Sequence, residues 1–251
     1  MDALTDKALA TLLLSLRIVP TLAFAPPFTL LRVPGIVRVL LALSLAAWLV
    51  AAHPAQTWQL GAGAFGPFGT ALSELTLGVA LALALQLAFA ALQTAGRAID
   101  LQAGFGLAML IDPTTHAPMP LTGTLFTYAA AAIFFATEGP ADLLAIWSAS
   151  IAQVPLGAAS AGTGLATLAG YISAIFVMAL GAGGLAMLVL FLIDVTIAFM
   201  SRTLPQMNVL MLGFQVKTLA LLLVLPLALA LSVSLFVRML RFALETTASM
   251  G

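Results

Sequence analysis

Cysteine is missing from this chain and histidine occurs only twice, at His53 and His116. Without thiols there is no disulfide framework and no thiolate metal site, and two histidines so far apart in sequence make a poor metal centre. Charge is nearly as scarce. Only 7% of the 251 residues are Asp, Glu, Lys or Arg, against roughly 25% in a soluble globular domain. Nine basic residues cancel nine acidic ones, and no basic patch interleaves with aromatics, which argues against a nucleic-acid partner. Catalytic signatures are lacking too: there is no GxSxG elbow, no HExxH and no GxxxxGK[ST] loop. The sequence therefore predicts no enzyme, no catalytic residue, no bound metal and no cofactor.

What remains is apolar. The hydrophobic share is 63% and the mean hydropathy +1.17. Runs long enough to cross a hydrocarbon core, which takes about 20 residues as helix, recur from end to end, so membrane lipid is an expected partner and residues 1–251 read as a single integral membrane domain. Helices are expected over about 8–31, 39–52, 71–95, 121–137, 143–154, 165–193 and 218–237. Backbone groups in lipid must be satisfied within the segment, and nothing alternates like a barrel strand. The fold class is all-α, a polytopic membrane protein of helical hairpins with broken helices. Two segments, 39–52 and 143–154, are short enough to suggest buried or re-entrant helices. The first apolar run is expected to be retained rather than cleaved as a signal peptide, because its leader is more acidic than basic (Asp2, Asp6, Lys7), Arg17 interrupts it, and Pro26 follows the small-residue pair Ala23 and Ala25.

Orientation signals conflict. Arg32 and Arg38 place the first loop inside, the uncharged stretch from His53 to Gly69 outside, and Arg97 the third connection inside. Beyond that, either Arg202 and Lys217 or Arg238 and Arg241 fall on the wrong side. The chain does not read as a simple serpentine.

Three constellations break the apolar monotony. If the third long helix continues past Ala95, then Gln86, Gln93, Arg97, Asp100 and Gly104 lie at spacings of 7, 4, 3 and 4, a polar stripe on one helical face. Arg97 and Asp100 could pair at i,i+3, either as a solvated helix end or on a face turned toward protein or a lumen. Next comes a broken segment, "FGLAMLIDPTTHAPMP". Gly104 and Gly106 loosen the helix, Asp112-Pro113 has the chemistry of a cap followed by a first-turn proline, and Pro118 and Pro120 forbid regular helix. Phe105, Met109 and Met119 supply adaptable apolar bulk. Such irregular backbone belongs outside the hydrocarbon core or in a lumen. The third constellation holds Asp194, Ser201, Arg202, Pro205, Asn208 and Lys217, which reads either as an amphipathic connector whose Lys217 snorkels to a surface or as a polar joint against another subunit.

The stretches "GRAIDLQAGFGLAMLIDPTTHAPMP", "FFATEGPADLL", "SIAQVPLG" and "DVTIAFMSRTLPQMNVLMLGFQVK", in that order, together with "RIVPTLAFAPPF" near the start, resemble the FliR family of flagellar biosynthetic proteins. That resemblance implies a subunit of a type III secretion export gate in the bacterial inner membrane, at the flagellar basal body. It implies assembly with FliP and FliQ into a helical, cone-like ring, association with FlhB and FlhA, and passage of unfolded flagellar proteins. In such a gate much of the chain is lifted out of the bilayer plane, which would account for the conflicting orientation signals. The segment Phe105 to Pro120 is similar to the one that plugs the family's pore. The alternatives are a virulence-system counterpart and a small-solute secondary transporter. The transporter reading lacks the matched breaks in two related halves that such proteins carry.

Overall fold

A computed structural model describes residues 2–31, 33–57, 66–105, 121–156, 165–203 and 209–250. All regular structure among them is helical: α1 (Asp2–Phe24), α2 (Gly35–Ala52), the single turn α3 (Pro54–Thr57), α4 (Gly66–Ala103), α5 (Leu121–Ala136), α6 (Gly139–Gln153), α7 (Leu165–Thr203) and α8 (Val209–Met250). By length and composition, five helices among the described residues can cross a membrane: Leu4–Phe24, Gly35–Ala52, Phe68–Ala103, Ala169–Arg202 and Met211–Ala243. The bent pair α5 and α6 makes a sixth if it is counted as one span.

Several boundaries differ from the sequence reading. Helix α1 stops at Phe24 rather than near residue 31, because Pro26 and Pro27 follow and cannot donate to a continuing ladder. Helix α2 starts earlier than 39, directly after Pro34, and so reaches 18 residues, the length of a span rather than of a short buried helix. The early start takes Arg38 into the helix, where its Nη1 donates to the carbonyl of Ala23 at 2.7 Å. Helix α4 continues past Ala95 to Ala103, and α7 and α8 run well beyond the apolar cores first assigned to them. Some polar residues in these extensions bond to neighbouring helices, as Asp100 does to Thr122 and Asp194 to Lys217, while others such as Arg97 and Arg202 are exposed, and an apolar-run criterion cuts the helices short at both kinds.

The helices form two compact units. One comprises Met1–Ala88, Phe134–Ile172 and Leu240–Gly251; the other Phe89–Ile133 and Ser173–Met239. In the first unit α1 buries Ala10, Leu14, Arg17, Ile18 and Thr21 on one helical face, while Leu9 and Leu12 on the other side are exposed. Helix α1 approaches α4 closely at Gly78, where an added Cβ would lie 2.5 Å from the carbonyl oxygen of Leu16. Tyr171 donates its hydroxyl to the carbonyl of Ala84 and stacks on Phe242. The α5–α6 break sits at Glu138, whose φ of 63° is left-handed. Gly139 follows with the Phe134 ring where its Cβ would stand, and Pro140 then opens α6.

In the second unit Gly96 of α4 meets Gly123 of α5 almost backbone to backbone; an added Cβ at Gly96 would lie 2.2 Å from the Gly123 Cα. Phe126 is buried edge-on to Phe236, and Ser232 donates to the carbonyl of Ala182 at 2.7 Å. Small residues at crossings let backbones approach, which is how helices associate where lipid removes the hydrophobic drive between them. Outward-facing positions stay apolar: Leu219, Leu222, Leu223, Leu227 and Leu231 of α8 are each more than half exposed. A face of that kind suits a bilayer or other helices, not water.

Candidate functional site

Polar side chains are so few that each buried one marks a place where the chain pays desolvation for a purpose. In the first unit that place is Arg17. Its side chain and that of Glu74 are both fully buried. Arg17 Nε donates to Glu74 Oε2 at 2.7 Å and Nη2 to Oε1 at 2.9 Å, a bidentate fork. The remaining donors reach Ser150 Oγ and the carbonyl of Val154, at 3.1 to 3.2 Å. The guanidinium thereby ties α1 to α4, to the last turn of α6 and to the residue that ends it. Nearby, His53 closes α2 with its backbone N–H on the Leu49 carbonyl, and its Nε2 lies 3.1 Å from Ser148 Oγ of α6.

In the second unit the polar groups gather where α4 ends and α5 begins. Asp100, buried, accepts from the Thr122 backbone N–H at 3.2 and 3.1 Å through its two oxygens, and from the Thr122 hydroxyl. A carboxylate from one helix thus caps the free N–H groups at the start of the next, where the helix dipole also favours negative charge. Gly104 turns the chain out of α4 with a left-handed φ of 92°, and the Phe105 ring meets Phe214 of α8 edge-on. Lys217 of α8 donates to the backbone carbonyl of Gln102 at 3.1 Å and forms an ion pair with Asp194 of α7. The Gln102 side chain in turn donates to the carbonyl of Met187 at 3.1 Å.

The stripe expected along α4 is therefore divided. Gln86 donates to the carbonyl of Phe24, Gln93 and Arg97 are exposed, Asp100 is buried on Thr122, and Gly104 is the turn. No ion pair joins Arg97 to Asp100 among the described residues. Of the broken segment, Phe105 alone is described; Gly106, Met109, Asp112, Pro113, Pro118, Met119 and Pro120 lie outside the described residues, as do Pro205 and Asn208 of the third constellation. Asp194 and Lys217 of that constellation meet each other, and Ser201 and Arg202 are exposed. Thr122, Gln102 and the Arg17–Glu74 pair were not singled out from the sequence. A signal for the pair was present, since each stands alone within an apolar stretch of its helix and such residues face partners.

The divided stripe makes a sharp expectation. Asp100→Ala should lower stability by about 1–2 kcal/mol through the lost cap, whereas Arg97→Ala should change it little. Exchanging the two charges, Arg97→Asp with Asp100→Arg, should be no better than Asp100→Arg alone. Thermal unfolding in detergent, followed by circular dichroism, measures all four; recovery in the exchange would reveal a pair after all.

Residues 8–243 match bacterial export proteins, family 1. A helical membrane protein with charged clamps at its helix ends is the class defined here, and the chain belongs to that family of bacterial export proteins. It is similar to the flagellar biosynthetic protein FliR of Escherichia coli (strain K12), with 26% identity over 79% of this chain and 76% of the relative. It is also similar to FliR of Bacillus subtilis (strain 168), at 33% over 59% of this chain and 58% of the relative, and to FliR of Pectobacterium carotovorum subsp. carotovorum, at 28% over 58% and 56%. The matches to the second and third relatives span less than two thirds of their length.

Proposed function

We propose that this chain is a pore-forming, non-enzymatic subunit of the flagellar type III export gate, passing unfolded flagellar proteins across the bacterial inner membrane. The observation that carries the reading is the match to an export-protein family over residues 8–243, joined to relatives that bear the name flagellar biosynthetic protein. In this reading the whole chain acts as one membrane domain within a cone-like ring with FliP and FliQ, with FlhB and FlhA alongside. The conflicting charge rule supports assembly of this kind, because a chain lifted out of the bilayer plane has no reason to obey it. Co-production with FliP and FliQ in detergent should shift this chain into a larger, sharper size-exclusion peak. A thermally stable monomer that ignores both partners would count against the reading.

The segment from Phe105 to Pro120 is the pore plug in this proposal. A path wide enough for an unfolded chain leaks ions unless it is closed, and the membrane potential is worth about 2.3 kcal/mol per charge per 100 mV. Apolar side chains such as Phe105, Met109 and Met119 suit a reversible seal, since each buried one contributes only about 1.5–3 kcal/mol. The clamp of Asp100 on Thr122 supports the assignment by fixing the two helix ends from which the segment departs. Replacing Gly106 to Met119 with a short Gly/Ser linker should raise ion conductance in cells that make the whole gate, with no rise when FliP and FliQ are absent. Normal assembly with wild-type conductance would remove the plug assignment and leave the export reading standing.

A further inference from the structure

The last turn of a helix leaves carbonyls without intrahelical donors, and a cation placed there satisfies them and complements the dipole. At the end of α4 the cation comes from another helix. Lys217 of α8 bonds the Gln102 carbonyl and is held in place by Asp194 of α7. The Lys217 side chain is 17% exposed and that of Asp194 42%, so the lysine is the more buried partner of the pair. Three further contacts converge on the same short stretch. The Gln102 amide donates to the Met187 carbonyl of α7, Phe105 lies on Phe214, and Gly104 faces the Phe214 ring, which an added Cβ would meet at 3.2 Å. Phe214 and Lys217 are one turn apart on α8, and Gly213 beside them leaves room for Ile197 of α7. The end of α4 is thus seated on the α7–α8 pair by one ammonium, one amide and one ring.

We propose that Lys217 is a positioning residue for export: its ammonium latches the end of α4 and the two residues that follow it, Gln102 to Phe105, to α7 and α8, and transport depends on that fixed position. The role rests on the export reading above. Asp194 alone would not need Lys217 to reach a carbonyl, and a snorkelling lysine would turn its ammonium outward; here it turns to the helix end. Arginine can make both bonds, methionine keeps the apolar stem and makes neither, and exchange of the charges restores an ion pair without a donor at residue 217.

Because the chain has no cysteine, Leu101→Cys and Leu219→Cys, at two exposed positions, provide a clean spin-label pair across α4 and α8 in the full chain. The test compares the wild-type background with Lys217→Met, Lys217→Arg and the exchange of Lys217→Asp with Asp194→Lys, each co-produced with the other membrane subunits of its export apparatus. The expected result is a narrow distance distribution in wild type and Lys217→Arg, and a broad one in Lys217→Met and in the exchange. Secretion of exported protein should fall about tenfold in the latter two, the scale of a lost charge-assisted hydrogen bond, at unchanged assembly. An unchanged distribution in Lys217→Met overturns the latch. A broadened distribution with full secretion overturns the positioning role, and so does secretion restored by the exchange, since the ion pair alone would then suffice. If the unmodified chain supports no secretion, the export reading fails, while the distances still judge the latch.

Discussion

Replacing Glu74 by alanine should destabilise this protein by about 3–5 kcal/mol, the range measured when one partner of a buried ion pair is removed. The Arg17 guanidinium is fully buried beside Glu74. With the carboxylate gone it keeps Ser150 and the Val154 carbonyl but loses its counter-charge. Truncating Arg17 should be comparably harmful, because α1, α4 and the end of α6 lose their common tie. The informative variant is the double one, Arg17→Met with Glu74→Leu. An apolar pair of similar volume avoids the desolvation of two charges and is often neutral or stabilising, so much of the stability should return. Thermal unfolding in detergent and protein abundance in the membrane read both effects. A double variant no better than Glu74→Ala would mean that the hydrogen bonds to Ser150 and Val154, rather than charge balance, hold this unit together.

Gly96→Leu should prevent correct packing of α4 on α5 altogether, and even Gly96→Ala should cost about 1–3 kcal/mol, the usual range for overpacking. The reason is geometric: the added Cβ would stand 2.2 Å from the Cα of Gly123 and 2.3 Å from its nitrogen, and backbone cannot step aside as a flexible side chain can. Separation of the helices there would also pull Thr122 away from Asp100, so cap and crossing should fail together. Gly184 is the control. It lies inside α7 with nothing within 4 Å of an added Cβ, and alanine there removes the backbone entropy of a helical glycine, a gain of up to about 1 kcal/mol. Comparable losses in Gly96→Ala and Gly184→Ala would show that helix flexibility, and not the crossing, is what these glycines provide.

Both substitutions act where the chain departs from plain apolar helix, and those departures were legible in the sequence to different degrees. Helix content was plain, because a chain with 7% charge in lipid has to satisfy its backbone within each segment. The turn at Gly104 was legible for the same kind of reason: a glycine can take the left-handed φ found there, and α4 ends at Ala103 directly before it. The stripe on α4 was legible only as a spacing. It placed Arg97 and Asp100 near each other, yet a helical face does not state which neighbour arrives first, and for Asp100 it is the start of α5.

What the sequence by itself determined is the list of places where something polar must be accommodated: charges such as Arg17, Glu74 and Asp194, each set within an apolar stretch, cannot face hydrocarbon unpaired. The tertiary structure alone decided the pairings. Arg17 meets Glu74 across 57 positions, and Lys217 reaches Gln102 across 115. No local rule spans such distances. Backbone periodicity fixes the direction of a side chain within a few turns, whereas the identity of its partner depends on which helices cross, and that is set by close approaches such as Gly78 on Arg17 and Gly96 on Gly123.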